Sequence, residues 1–99
     1  KKMNDIKMEM YPVFQASDIK KMIGVDWSEC EFTQMAENDS YQAVVCSDSR
    51  LEDIAEDLNY YEDKFEDLYV QRLRNEATLI NYLRKNYGIK DMALFCVSW

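Results

Sequence analysis

The sequence has no histidine, only two glycines and a single proline. Without histidine, neither a Ser-His-Asp triad nor a Cys-His pair can form, and the side chain that most often moves protons near neutral pH is missing. Gly24 and Gly88 are isolated, so the chain contains neither a Walker loop nor a dinucleotide-binding loop. These absences predict a protein that is not an enzyme and binds no nucleotide.

Cysteine is also scarce. Cys30, Cys46 and Cys96 are odd in number, have no short pairing motif, and lie in or beside segments with strand character. We therefore expect buried free thiols rather than a disulfide or a reactive thiol. The cysteine spacing offers no paired zinc ligands, and residues 37–40 fall far short of a calcium loop. No metal or other cofactor is expected.

No apolar run is long enough to cross a bilayer, and the N-terminus lacks the apolar core of a signal peptide. Nineteen acidic residues against twelve basic ones give a net charge of −7. That charge opposes direct binding to nucleic acid or an anionic membrane and favours a basic partner. We expect a soluble, cytoplasmic protein in which residues 1–99 form a single domain.

Four segments have the alternation or apolar character of β-strands: residues 6–11, 31–36, 41–46 and 92–97. Pro12 is expected to end the first strand, and the turn-forming residues 37–40 predict a hairpin between the second and third. In the third strand, residues 41, 43 and 45 are expected on one face and residues 42, 44 and 46 on the other. This strand is apolar enough on both faces to be central. Between the first two strands, Ser17 and Gly24 have the positions of the cap and the stop of a short helix.

Residues 47–88 contain no internal glycine or proline, and their apolar residues recur at helical spacing, with the stripe continuing through Leu68 and Tyr69. Ser49 begins a capping-box pattern, which predicts a helix from about residue 49, and Gly88 predicts its end.

One helix of this length would be about 60 Å long, which is too long for a compact chain of this size. We favour a break near Arg74–Asn75, with Asn75 as the new N-cap. The alternative is one long helix that packs against a second copy. Either arrangement gives an α+β fold of β-α-β-β-α-β order, in which a four-stranded, mainly antiparallel sheet is covered on one face by a long helix or helix pair.

Acidic residues concentrate in the first half of the helical stretch. From Asp48 to Asp67 there are nine acids against only Arg50 and Lys64, a local charge of about −7. On a single helix, four of these acids would fall within about 60° of one another and opposite the apolar stripe, with Tyr60 at their edge. The four are Glu52, Glu56, Asp63 and Asp67.

The plainest interpretation of these acids is a solvated outer face. The functional interpretation is that the four acids, with Tyr60 as a flat contact, bind the basic groove of a protein. Nucleic-acid-binding proteins have such grooves, because much of their affinity comes from neutralising phosphates. The chain would then be a nucleic-acid-mimicking inhibitor, similar in charge pattern, though not in any motif, to the anti-restriction and anti-CRISPR proteins of phages and mobile elements.

The alternative function is a non-catalytic structural or assembly protein that homodimerises through the long helical segment. Basic residues lie toward the C-terminal end of that segment, and its acidic half lies toward the N-terminal end. In an antiparallel dimer, the basic residues of one copy would meet the acidic half of the other. Leu68 and Leu73 are the expected apolar contacts. The basic residues are Arg72, Arg74, Arg84, Lys85 and Lys90.

Overall fold

A computed structural model describes residues 11–32, 41–61 and 67–97. This part of the chain contains three β-strands, three α-helices and a 3-10 turn at Trp27–Glu29. The strands are β1 (Val13–Gln15), β2 (Tyr41–Val45) and β3 (Met92–Cys96), and the helices are α1 (Asp18–Ile23), α2 (Asp48–Tyr60) and α3 (Leu68–Tyr87).

The three strands form a mixed sheet in the order β1-β3-β2. β1 pairs parallel to β3, with Phe14 opposite Phe95, and β2 pairs antiparallel to β3, with Ala43 opposite Leu94. Across the residues that the structure describes, the fold is α+β with a three-stranded mixed sheet, and the expectation of a four-stranded, mainly antiparallel sheet is wrong.

The structure places β1 directly after Pro12, where the sequence predicted no strand. Strand pairing begins at Pro12, whose carbonyl accepts a hydrogen bond from the Leu94 N–H at 2.9 Å. Proline lacks an N–H donor but keeps its carbonyl acceptor, so it is tolerated where an edge strand begins. Of the strand predicted over residues 6–11, residues 6–10 lie outside the described residues and Tyr11 lies in a bend.

The predicted hairpin cannot be followed through residues 33–40, which lie outside the described residues. Glu31 and Phe32, at its predicted start, are not in a strand. Instead, the Glu31 N–H donates to the carbonyl of Arg72 in α3 at 3.3 Å. Within the described sheet β2 lies at an edge, so the expectation that this strand is central is wrong. The central strand is β3, and its residues Met92–Phe95 are all buried, as is typical of a central strand.

The main hydrophobic core lies between the sheet and the helices. Ile54 of α2 and Leu79 of α3 are fully buried there against Val44 and Phe95 of the sheet, together with Ile19 of α1. Each of these side chains contributes about 1.5–3 kcal/mol of burial free energy before entropy is counted. The helices therefore expose the faces opposite these side chains.

The opposite face of the sheet carries a second, smaller cluster. Ala43 and Leu94 are fully buried in it, and Tyr41 and Val45 pack against it. The predicted alternation of β2, with residues 41, 43 and 45 on one face and Val44 on the other, is confirmed.

The helical stretch is two helices, but the break predicted near Arg74–Asn75 is wrong. α2 ends at Tyr60, and α3 begins after Asp67, whose carboxylate accepts a hydrogen bond from the Tyr69 N–H at 2.8 Å. Aspartate is a strong N-cap because its side chain satisfies a free N–H of the first turn. Asn75 lies inside α3, where its amide donates to the Glu29 carbonyl at 2.7 Å.

The remaining helix ends follow local rules. The N-cap of α2 is Ser47 rather than Ser49, because the Ser47 hydroxyl accepts from the Arg50 N–H at 3.3 Å. Gly24 and Gly88 close α1 and α3 with positive φ angles of 84° and 69°, as predicted. Glycine adopts this left-handed conformation without a Cβ clash.

A buried ion pair joins α2 to α3. The Glu76 side chain has no exposed surface, and its two carboxylate oxygens accept from Arg50 Nε at 2.8 Å and Nη2 at 2.7 Å. The hydrogen bond to Glu76 is the main cause that raises the pKa of Arg50. Glu76 lies on the same side of α3 as the buried Leu73 and Leu79. A charged residue on the apolar side of a helix is therefore the sequence signal from which a buried ion pair could have been predicted.

Arg84 makes a second connection between the same helices. Its Nη1 donates to the Cys46 carbonyl at 2.6 Å, and its Nη2 pairs with the Asp48 carboxylate at 2.8 Å. Asp48 is 79% exposed, so this pair contributes at most about 1 kcal/mol. The Arg50–Glu76 pair is therefore the stronger constraint on how α2 lies against α3.

We expect Arg50→Met to lower the free energy of unfolding by about 3 kcal/mol, because it leaves the Glu76 carboxylate buried without its partner. Arg50→Met/Glu76→Leu should recover most of this loss, since it removes both charges together. The matched control Arg74→Met removes an exposed arginine of α3 and should change stability by less than about 0.5 kcal/mol. Urea unfolding measures all three, and equal effects of Arg50→Met and Arg74→Met would contradict the proposed role of the pair.

Candidate functional site

The outward face of α2 carries acidic side chains. Glu52, Asp53 and Glu56 are exposed, and Tyr60 is 80% exposed, whereas Ile54 on the opposite face is buried. At about 100° per residue, Glu52, Glu56 and Tyr60 lie within about 80° of one another, and Glu52 and Tyr60 are separated by about 12 Å along the helix. We call Glu52, Asp53, Glu56 and Tyr60 the α2 acidic surface.

The structure brings together three of the five predicted contact residues: Glu52, Glu56 and Tyr60. Asp67 caps a different helix, and Asp63 lies outside the described residues. The expectation that four acids form one ladder along a single helix is wrong, because α2 ends at Tyr60 and helical spacing does not continue to Asp67.

Glu52 and Glu56, two acids of the α2 acidic surface, have no cation paired with them in the part of the chain that the structure describes. Arg50, the basic residue nearest to them in sequence, is engaged by Glu76 across the helix interface. Like charges spaced at i and i+4 destabilise a helix by a few tenths of a kcal/mol, so packing of the rest of α2 must offset this repulsion.

Three tyrosines and one leucine lie where α2 ends and α3 begins. Tyr61 is half-buried, and Leu68 also borders a smaller cleft with Glu29 and Arg72. The ring centroids of Tyr60 and Tyr61 are 4.8 Å apart, and those of Tyr61 and Tyr69 are 6.0 Å apart, both pairs in edge-to-face geometry. Leu68 is 72% exposed and Tyr69 is 40% exposed. We call the three tyrosines and Leu68 the tyrosine–leucine patch.

The expectation that Leu68 and Tyr69 continue the apolar stripe toward the core is wrong. The helical phase restarts when Asp67 caps α3, so both side chains turn outward while Val70 and Leu73 are buried. Partial burial is the main cause that raises the pKa of Tyr69, and the negative charge of Asp57 raises it further. Tyr69 is therefore a neutral phenol at physiological pH and lies within electrostatic range of an α2 carboxylate.

The described residues also form a cleft of about 320 Å³. Its lining residues are Trp27, Ser28, Cys30, Glu31, Phe32, Gln42 and Arg72. Burial raises the pKa of the Cys30 thiol to about 11. A thiol needs its thiolate form to act as a nucleophile, so Cys30 is poorly suited to covalent catalysis at neutral pH.

None of the three cysteines forms a disulfide. Cys30 and Cys46 are buried, as predicted, and Cys96 is half-buried. Burial also raises the pKa of Cys46 to about 11. Within residues 11–32, 41–61 and 67–97, no three cysteine, aspartate or glutamate side chains are placed to hold a metal ion, and no helix is both long and apolar enough to cross a membrane.

Comparison of the chain with protein-family models, with curated proteins and with solved structures gives no match. Its function must therefore be argued from its own surface.

We expect Cys30 and Cys46 to resist alkylation in the folded protein at about pH 8, because burial keeps both as thiols. A Cys96→Ser variant isolates these two side chains, and mass spectrometry after iodoacetamide treatment measures their modification. Reaction should accelerate as the pH approaches about 11, and in denaturant both thiols should react readily. Rapid modification of the folded variant at about pH 8 would show that the two thiols are accessible.

Proposed function

We propose that this protein is a non-catalytic interaction module whose α2 acidic surface binds the basic groove of a nucleic-acid-binding protein and excludes nucleic acid from it. The observation that carries the proposal is the exposure of Glu52 and Glu56 beside Tyr60, with no ion pair to either acid among the described residues. A carboxylate that has no ion pair with the described residues is available to a cation on a partner.

The spacing of these charges supports mimicry of nucleic acid. Glu52, Asp53 and Glu56 together occupy a length of about 6 Å along the helix axis, so this length carries three carboxylates. One strand of duplex DNA carries a phosphate about every 3.4 Å, so the two linear charge densities are comparable. A groove whose lysines and arginines are arranged for phosphates therefore meets a similar density of negative charge on α2.

The fixed position of α2 also supports the proposal. The Arg50–Glu76 pair and buried Ile54 hold the helix on its inner side. The acidic surface is thus presented on a regular helix rather than on a loop, and less conformational entropy is lost when a partner binds.

The experiment compares two variants that change net charge equally. Glu52→Gln/Glu56→Gln removes two charges from the α2 acidic surface, and Asp26→Asn/Asp91→Asn removes two exposed charges elsewhere. Immobilised wild-type and variant proteins are incubated with nuclease-treated lysate of the source organism across a salt series. Added duplex DNA or RNA then tests displacement, and mass spectrometry identifies the released protein.

Wild type and the Asp26/Asp91 control should retain a nucleic-acid-binding protein that salt and added nucleic acid release, and the Glu52/Glu56 variant should lose it. Charge screening beyond about 8 Å at physiological ionic strength makes this salt sensitivity steep. Retention of the same partner by both variants would contradict the proposal, as would binding that is insensitive to salt.

A second candidate function is homodimerisation through α3, which the 72% exposure of Leu68 favours. Arg74 and Lys85 are exposed on the same helix and supply a basic surface for the acids of a second copy. Leu73, the other residue expected at this interface, is fully buried in the core, so that expectation is wrong.

If the protein dimerises in this way, Leu68→Asp should convert a dimer to a monomer, because it places a charge in an apolar contact. Sedimentation velocity over a concentration range measures the mass, with Tyr87→Asp as a control at the far end of α3. A wild-type protein that is monomeric throughout the range eliminates this candidate.

A further inference from the structure

We propose that the tyrosine–leucine patch binds arginine side chains of the partner, so that the protein selects arginine-rich over lysine-rich basic segments. This inference rests on the proposed function and specifies the partner that the α2 acidic surface accepts. The patch continues that surface, because Tyr60 belongs to both and lies one helical turn after Glu56.

The arrangement of the rings leaves aromatic surface available. Tyr60 and Tyr61 meet at an interplanar angle of 90°, and Tyr61 and Tyr69 meet at 83°. Edge-to-face contact uses one face of one ring in each pair and leaves other faces open. Because Tyr60 is 80% exposed and Tyr69 is 40% exposed, both rings present surface on which a planar group can stack.

Carboxylates lie beside the rings. Glu56 precedes Tyr60 by one turn on the same helical face, and Asp57 is near enough to Tyr69 to affect its ionisation. The patch therefore combines flat aromatic surface, an apolar leucine and negative charge. A cationic group that lies on a tyrosine ring here also meets a carboxylate.

Arginine matches this combination better than lysine. Its guanidinium is planar and weakly hydrated, stacks on aromatic rings, and can donate two parallel hydrogen bonds to one carboxylate. Lysine offers a compact, strongly hydrated charge, so it gains from the carboxylates but little from the rings.

Charge complementarity identifies the occupant of the patch as a basic segment of a partner protein. An uncharged segment that lies on the tyrosine rings would desolvate the neighbouring Glu56 and Asp57 without pairing them. An arginine-rich segment covers the same rings and pairs those carboxylates at the same time.

The test measures the binding of two fluorescein-labelled peptides, nona-arginine and nona-lysine, by fluorescence anisotropy at several salt concentrations. The peptides carry equal side-chain charge, so a difference between them isolates what the guanidinium adds. Wild type should bind nona-arginine about five- to tenfold more tightly than nona-lysine, the range that one or two exposed cation–π contacts supply.

Tyr60→Leu and Tyr60→Leu/Tyr69→Leu remove the rings but keep apolar side chains at exposed positions. The preference for nona-arginine should fall to about twofold or less in the double variant, and nona-lysine affinity should change little. Tyr87→Leu is the matched control, because Tyr87 is 54% exposed near the end of α3 and should leave the preference unchanged. Circular dichroism verifies folding, and Tyr60→Leu alone decides the outcome if the double variant unfolds.

The outcomes separate this inference from the proposed function. Equal affinity of wild type for the two peptides, or a preference that survives Tyr60→Leu/Tyr69→Leu, overturns the arginine inference. The proposed function still stands if Glu52→Gln/Glu56→Gln weakens both peptides and Asp26→Asn/Asp91→Asn does not. If those two charge variants behave alike, the proposed function fails. Dimerisation that disappears in Tyr60→Leu would assign the patch to a second copy and also overturn the inference.

Discussion

The orientation of α2 depends on one buried ion pair. Glu76 has no exposed surface and lies among the apolar side chains of α3, where an unpaired carboxylate would be costly. Arg50 satisfies both of its oxygens. Buried ion pairs add little net stability compared with apolar replacements, but any packing of α2 that separates the two side chains leaves a charge unpaired. We infer that the pair mainly specifies the alignment of the two helices.

That alignment determines which charges remain available. Arg50 points toward α3, and Glu52 lies about 200° further around the helix, on the outward side. The basic residue nearest the acids is therefore engaged in the interior, and the acids remain in solvent. This interior contact therefore helps to fix the position of α2 and also keeps Arg50 away from Glu52 and Glu56. At the end of α2, the Tyr61 ring lies beside Tyr69 in the first turn of α3, and this contact joins the two parts of the tyrosine–leucine patch.

Features that depend on local sequence were predictable. The end of α3 at Gly88, the short α1 helix and the exposure of Glu52, Glu56 and Tyr60 follow from capping or helical phase. The alternation of β2 follows from the two-residue period of a strand. Features that depend on distant partners were not. Arg50 and Glu76 are 26 residues apart, and β1 is defined by its pairing with β3 rather than by its own three residues. The patch was missed because Asp67 resets the helical phase, although aspartate before an apolar run is a recognisable cap.

The central claim is that the outward surface of α2, continued by the tyrosine–leucine patch, is where basic partners bind. Amide chemical-shift mapping by NMR, with ¹⁵N-labelled protein titrated with nona-arginine, tests it most directly. The account predicts that the largest shifts cluster in α2 from Glu52 to Tyr60 and in the first turn of α3. Shifts concentrated instead in the sheet, or along α3 from Arg74 to Lys85, would contradict it.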